Sequence, residues 1–338
     1  MSDTVNDTKS DTIGWGIIGT GHIASTFARD LQLLDDARLV AVGSRSRSTA
    51  EDFADRFTVP HRHPSYADLV ADPDVDVVYV STPHPGHHDA ALLAIEAGKA
   101  VLVEKPFTLN GSEAMSLVTA ARSRGTFLME AMWTRFLPHM LRIRELLTAG
   151  TLGEIRTVTA DHGQRFIPPD PTSRLYDPAL GGGALLDLGI YPVSFASYVL
   201  GTPSRVTAVS DPTTTGVDAQ TSILMQYDGG AHAVLTTTLG AATPNVATIS
   251  GTAGRIEIDR VWYQPTSFTL TTQNGAVERF EKPRIGQGLR HQAAEVGRCL
   301  RDGRLESDLM PLDETVSIMT TMDEVRRQIG LVYPAESR

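Results

Sequence analysis

Lys105 stands where an apolar run, Ala100-Val101-Leu102-Val103, breaks off at Glu104-Lys105-Pro106. The run reads as a parallel strand buried on both faces, and Pro106, which has no N–H, must end it. A lysine at the carboxyl end of a central strand lies where open α/β sheets bind their ligands. It is either a rim lysine paired with Glu104 or a cation put to use. Gly19-Thr20-Gly21-His22-Ile23-Ala24, directly after the apolar run Ile13 to Ile18, is a second pattern with chemistry in it. As G-x-G-x-x-A, Gly19 permits a tight turn, Gly21 lets the backbone approach a pyrophosphate, and Ala24 keeps the next helix close to the sheet. That helix, expected over 22–34, offers its first N–H groups to phosphates. A third pair, Asp187 and Tyr191, falls four residues apart in a helix expected over 182–200, and so on one face.

These residues need a frame. After the first strand comes another at 38–42, ending in Gly43-Ser44-Arg45-Ser46-Arg47. An acidic residue is usual there when a ribose 2′-hydroxyl is gripped. Here a small hydroxyl and two guanidiniums suit a 2′-phosphate instead, which favours NADP(H) over NAD(H). Helices at 51–57 and 66–71 precede a strand at 75–80 with Ser81-Thr82-Pro83 at its end. His84, His87 and His88 follow, before a helix over 89–97 closed by Gly98. No carboxylate or cysteine stands at ligand spacing to complete a metal site with them, so they are read as lining a nucleotide cleft. A helix at 112–124 and a strand at 126–130 complete an alternation that implies a doubly wound parallel sheet.

Beyond a helix at 138–149 the pattern turns to strands in succession, at 155–160, 205–209, 220–227, 231–238, 246–250, 255–258 and 268–272, with Asp228-Gly229-Gly230 as a hairpin turn. They imply an α+β domain with a large open, mostly antiparallel sheet. One face of such a sheet needs a cover, and a second copy of the chain is the expected one, giving a homodimer. The irregular stretch 164–180 is long enough to be functional. Helices at 287–301 and 313–329 end the chain. The expected division is residues 1–10 as a polar tail, 11–131 as the dinucleotide domain and 132–338 as the substrate and oligomerisation domain.

Composition excludes several classes. With 338 residues, 41% hydrophobic and 21% charged, the chain suits two soluble domains. A formal charge of −10 argues against a nucleic-acid surface. No apolar run reaches the roughly 18 residues of a membrane span. The polar start lacks an apolar secretory segment, and the single Cys299 fits a reducing compartment, so a cytoplasmic protein is expected.

Gly19-x-Gly21-x-x-Ala24, Thr82-Pro83-His84-Pro85-Gly86-His87, Glu104-Lys105-Pro106, Arg135-Phe136-x-Pro138, Gly150-x-x-Gly153-Glu154-Ile155 and Gly181-Gly182-Gly183 through Asp187-Leu188-Gly189-Ile190-Tyr191 occur in this order. The sequence thereby resembles the glucose–fructose oxidoreductase/inositol dehydrogenase/MocA (Gfo/Idh/MocA) family from about Ile13 to Tyr333. Glu130-Ala131-Met132-Trp133-Thr134-Arg135-Phe136 is similar to its dihydrodiol dehydrogenase and aldose dehydrogenase branch.

The resemblance implies that Lys105 reaches the reacting hydroxyl, that the peptide before Pro106 is often cis, and that Asp187 hydrogen-bonds a substrate hydroxyl. Tyr191 stands where many members carry a histidine, which replaces an imidazole base with a phenol. Its pKa, near 10 unperturbed, would be lowered by a neighbouring ammonium; alternatively Lys105 carries the proton and Tyr191 orients the substrate. The expected cofactor contacts are Gly19, Thr20, Gly21, His22 and Ile23, with Ser44 and Arg45. Ser81, Thr82, Pro83, His84, His87 and Glu104-Lys105-Pro106 complete the set. The implied activity is hydride transfer between NADP (or NAD) and a CH–OH group of a pyranose sugar or a cyclic trans-vicinal diol. Reduction of a keto-sugar or other carbonyl, and a catalytically silent sensor of nucleotide or sugar, are the rival readings.

Overall fold

The computed structural model describes residues 12–167 and 169–337, so the tail expected at 1–10 lies outside the described residues. Six strands make the first sheet: β1 (Ile13–Ile18), β2 (Ala37–Gly43), β3 (His61–His63), β4 (Val77–Val80), β5 (Ala100–Glu104) and β6 (Leu128–Ala131). Every pairing is parallel, in the order β3-β2-β1-β4-β5-β6. The direction of winding reverses between β1 and β4, which opens a crevice at their carboxyl ends. β4 and β5 are buried at every residue, as apolar runs flanked by helices on both faces must be. The connecting helices are α1 (His22–Leu31), α2 (Arg47–Phe57), α3 (Tyr66–Val70), α4 (His87–Glu96) and α5 (Gly111–Arg124).

Local chemistry sets the ends of these helices. The Asn110 side chain accepts the Glu113 N–H at 2.9 Å, and the Glu113 carboxylate accepts the Leu109 N–H at 3.1 Å, a reciprocal cap on α5. α1 stops at Leu31, short of the expected Leu34. The N–H groups of Leu33 and Leu34 turn back to the carbonyls of Asp30 and Leu31. The buried Asp30 carboxylate is engaged elsewhere, accepting the N–H groups of Gln287 and Leu289 at 2.8 and 2.7 Å.

The second half supplies α6 (Pro138–Thr148), β7 (Ile155–Gly163), α7 (Ile190–Leu200), β8 (Arg205–Pro212), β9 (Asp218–Gln226) and β10 (His232–Thr238). β11 (Ala247–Gly251), β12 (Gly254–Ile258), β13 (Phe268–Thr272), β14 (Val277–Phe280), α8 (Arg290–Arg301) and α9 (Leu312–Ile329) follow. Its strands form an eight-stranded sheet in the order β14-β13-β12-β11-β7-β10-β9-β8. Only β7 and β10 pair in parallel; the rest is antiparallel. Thr221, Ile223 and Met225 of β9 point inward and Gln220, Ser222 and Leu224 outward, the alternation of a sheet covered on one side. α7 lies over β7 and β10, and α9 over β8. One buried apolar cluster runs through both halves, and α8 and α9 return to pack on α1 and α5.

The helix expected over 182–200 begins with a π-helical turn, Leu185–Gly189, before α7. The segment Pro178–Leu200 is long and apolar enough to cross a membrane, but 78% of its most apolar window is buried inside the protein, where its apolar character is used.

Glu130, on β6, is fully buried. Burial pushes its pKa up to about 7 from an ordinary 4.5. Folding therefore keeps a proton that the unfolded chain loses, so this group's contribution to stability falls as pH rises from about 4.5 to about 7. Buried histidines such as His139, lowered to about 4, act in the opposite sense below their ordinary 6.5. The clean readout is thus a difference. The melting midpoint of Glu130→Gln minus that of the wild type is expected to grow more positive between about pH 5 and about pH 8. A difference that stays constant over that range would refute the assignment.

Candidate active site

The turn after β1 is built for close approach. Gly19 has φ +102°, and a Cβ there would meet the Ser81 carbonyl oxygen at 2.8 Å, so only glycine fits where β1 and β4 end together. A Cβ on Gly21 would meet nothing within 4 Å. Helix α1 starts beside that open space with no side-chain cap and no acidic residue in its first turn. The N–H groups around Thr20, His22 and Ile23 are therefore left for an anion from outside, which fits a dinucleotide pyrophosphate. Ser81 is committed to the frame, its hydroxyl donating to the Ile18 carbonyl at 2.8 Å.

At the end of β2, the Ser44 hydroxyl is 2.7 Å from that of Thr49 and accepts the Ser46 N–H at 3.2 Å. Ser44 thus shapes the loop rather than standing free, while Arg45 and Arg47 are exposed beside it.

The three histidines separate. His88 turns away to Asp89 and Ser116. His87 is 1% exposed, with Nδ1 2.9 Å from the Pro106 carbonyl and Nε2 2.9 Å from that of Thr82. It is a strut between the Pro106 and Thr82 loops, at the base of the cleft. Burial lowers its pKa, and the neutral ring donates its one N–H to one of these two carbonyls. His84, after Pro83, bonds the Gly181 carbonyl through Nδ1 at 3.0 Å and sets Nε2 3.9 Å from Asp187 Oδ1. Burial pushes its pKa down to about 3, so it is neutral.

Lys105 follows β5, and the Lys105–Pro106 peptide is cis. Its partner is not Glu104, which accepts the Tyr79 hydroxyl and the Lys105 N–H. The ammonium instead crosses to the π-helical turn, donating to the Asp187 carbonyl at 2.9 Å and to Asp187 Oδ1 at 3.3 Å. Burial would lower its pKa, but the charges of Asp187, Tyr191 and Glu104 together outweigh that and raise it above the ordinary 10.5. Asp187 is 5% exposed and also takes Arg174 Nη1 at 3.0 Å and Nη2 at 3.4 Å. Burial alone would raise the Asp187 carboxyl, yet Lys105 and Arg174 hold it well below the usual range. With both oxygens facing cations, Asp187 anchors Lys105.

Tyr191 lies beside this ion pair, but Lys105 meets its ring face rather than its oxygen, with Nζ 4.9 Å from the ring centroid. The Tyr191 hydroxyl accepts the Trp133 indole N–H at 2.9 Å, which leaves its own proton to be donated. Burial raises the phenol above 10, and the nearby Lys105 offsets this only in part. The expected lowering is thus reversed in this state, because desolvation exceeds the attraction of an ammonium directed at the ring.

The expected set omitted His162, Tyr263 and Arg174. His162 stacks on Tyr263 at 3.9 Å between centroids and stands edge-on to Tyr191 at 5.0 Å. Its Nδ1 is buried without a partner. With Trp133, which is also edge-on to Tyr191, these rings form an aromatic wall packed edge to face around the phenol. A surface groove of about 730 Å³ between β8 and α9 lies away from all of these residues.

Residues 13–132 match the family described as "Oxidoreductase family, NAD-binding Rossmann fold", and residues 140–257 match the GFO/IDH/MocA C-terminal domain. The chain is 40% identical to trans-1,2-dihydrobenzene-1,2-diol dehydrogenase of Mus musculus, over 96% of this chain and 99% of that protein. It is 38% identical to the Homo sapiens enzyme of the same name, again over 96% and 99%. Among solved structures, the aldose-aldose oxidoreductase of Caulobacter crescentus, complexed with glycerol, superposes with a TM-score of 0.85 at 26% identity, covering 97% of this chain and 98% of that one. A 3-ketoreductase from Actinomadura kijaniata in complex with NADP and TDP-benzene gives 0.82 at 29% identity, over 94% and 98%. A phosphate cradle, a buried lysine–carboxylate pair and these matches over nearly the whole length lead to one conclusion: the chain belongs to the Gfo/Idh/MocA family and is a nicotinamide-nucleotide-dependent dehydrogenase.

Proposed function

We propose that the protein is an NADP(H)-dependent dehydrogenase of a cyclic trans-vicinal diol or a pyranose sugar, with Tyr191 moving the proton and Lys105 stabilising the oxygen. The observation that carries this reading is the Lys105 ammonium, held by Asp187 against the face of Tyr191 and beside the wall of Trp133, His162 and Tyr263. A six-membered ring with adjacent hydroxyls presents an apolar face to such a wall and an edge of oxygens to the cation. The curated relatives' names point to a dihydrodiol, and the aldose-aldose oxidoreductase to a sugar.

When bound, the nicotinamide accepts the hydride from the carbinol carbon, or returns it to the carbonyl. In oxidation the Tyr191 phenolate takes the hydroxyl proton as the C–O bond becomes double. In reduction the phenol gives that proton to the carbonyl oxygen, and Lys105 favours the negative charge that develops there in either direction. Because burial keeps Tyr191 protonated at neutral pH, the site is better set for reduction there and for oxidation under alkaline conditions. This supports the carbonyl-reducing direction as a second reading. A silent sensor would have no need for a buried lysine fixed beside a phenol.

A panel of aldoses, inositols and cyclic diols with NADP+ and NAD+, followed by absorbance of the reduced nicotinamide, tests the reading. Turnover of at least one cyclic diol or aldose is expected, with kcat/KM at least about tenfold higher for NADP+, since two exposed guanidiniums suit a 2′-phosphate. No turnover across the panel would sink the function; a tenfold preference for NAD+ would sink the cofactor assignment alone.

The outward face of the second sheet sets Thr207, Leu224 and Val234 side by side across β8, β9 and β10. Leu224 is 40% and Val234 46% exposed. This stripe fits the same face of a second copy, making a homodimer through the sheet. Sedimentation is expected to give a dimer at micromolar concentration and a monomer for Val234→Arg; a wild-type monomer would contradict it. Buried Cys299 fits a cytoplasmic enzyme.

A further inference from the structure

β3 is an edge strand of three residues, His61-Arg62-His63. Alternate residues of a strand share a face, so the two imidazoles turn to one side while Arg62 turns to the other and pairs with Asp55. Facing them, just beyond α3, is Asp72. Its Oδ2 lies 2.6 Å from His61 Nδ1 and 2.9 Å from His63 Nε2, and the three atoms fall within 4.8 Å of one another. The Asp72 side chain is 4% exposed and cannot swing away. Its Oδ1 accepts the Asp74 N–H at 3.0 Å, and Lys99 Nζ grips the Asp72 and Val75 carbonyls at 2.8 Å each. None of these residues enters the chemistry at Lys105.

We propose that His61, His63 and Asp72 form a three-ligand site for a divalent cation of the zinc class, with the fourth position left to water. Two imidazole nitrogens and one carboxylate oxygen are a zinc donor set, whereas magnesium and calcium call for six or more oxygens. Without an ion, both imidazoles face one carboxylate oxygen and each donates it an N–H. An ion takes the place of those two protons, and each neutral imidazole carries its proton on the other ring nitrogen instead. For His61 that nitrogen is Nε2, and Asp74 Oδ2 already stands 3.7 Å from it. A carboxylate behind a ligating histidine is what fixes the tautomer and ring orientation in metal sites. The donor atoms, 2.6 and 2.9 Å apart, must open to about 3.3 Å, by about 0.4–0.7 Å, to surround an ion tetrahedrally at about 2.0–2.2 Å. The His61 and His63 side chains, 39% and 21% exposed, leave room for that and a path from solvent. The link to the Ser44 loop is through backbone alone, the His63 carbonyl accepting the Ser44 N–H at 3.2 Å, and side-chain substitutions leave it in place.

The test is calorimetric titration of the chelator-stripped full-length protein with Zn2+, repeated with Co2+, whose visible absorption reports coordination geometry. One saturable ion per chain is expected, with a tetrahedral Co2+ spectrum. His63→Gln and Asp72→Asn should each weaken binding at least about tenfold while NADP+ binding, followed by fluorescence, stays intact. His61→Gln, at the most exposed of the three side chains, keeps the test valid if Asp72→Asn fails to fold. No saturable Zn2+ binding would overturn the proposal, as would unchanged affinity and stoichiometry in the His61→Gln/His63→Gln double variant.

Discussion

Lys105→Met lowers kcat/KM by about 10²–10³-fold while NADP+ affinity changes little, because it removes one preorganised charge from the reacting oxygen. Among the described residues, both of its side-chain hydrogen bonds go to Asp187, one to the carbonyl and one to the carboxylate, and the ammonium lies over the Tyr191 ring. Methionine keeps the length and apolar stem but leaves Asp187 with Arg174 as its remaining close cation. That costs about 1–3 kcal/mol of stability, the usual penalty for a buried group that loses a partner. Steady-state kinetics at saturating NADP+, with a melting curve for each protein, separates the two effects. A variant that retained more than a tenth of wild-type turnover would remove Lys105 from the chemistry.

Tyr191→Phe is the second large effect. Phenylalanine preserves the ring against Lys105, Tyr263 and His162 and deletes only the hydroxyl. The expected loss is about 10²–10⁴-fold in kcat, typical of an acid–base group, with KM changed little. The Trp133 indole N–H loses its acceptor as well, so a modest fall in melting temperature accompanies the kinetic loss. Near-normal kcat with a raised KM would make Tyr191 an orienting residue and leave Lys105 as the proton carrier.

Much of this site is legible from residue order alone. The apolar run before Gly19 and the one before Lys105 each announce a buried strand, and Gly19 is required because a Cβ would strike the Ser81 carbonyl. Asp187 and Tyr191 do face Lys105 together, although a π-helical turn rather than a regular helix presents Asp187. What residue order conceals is long-range pairing. Arg174 sits in an irregular stretch whose only signal is its length, and its ion pair with Asp187 depends on how that stretch folds back. His162 and Tyr263 come from distant segments and reveal themselves only as stacked rings. β3 and β14 carry no apolar run, so neither reads as a strand; the loss of β3 hid the cluster of His61, His63 and Asp72. The direction of the Tyr191 shift was also out of reach. It depends on whether the ammonium meets the oxygen or the ring, which is a matter of a few ångströms.

The most direct test of the central claim, that the Tyr191 phenol exchanges the proton beside a fixed Lys105 cation, is the pH dependence of kcat/KM for diol or sugar oxidation. In the wild type log kcat/KM should climb with unit slope through neutral pH and toward 10, as the buried phenol yields its proton. Lys105→Met should be slower at every pH yet keep the slope, and Tyr191→Phe should lose it. A Tyr191→Phe profile that rises in parallel with the wild type would contradict the account.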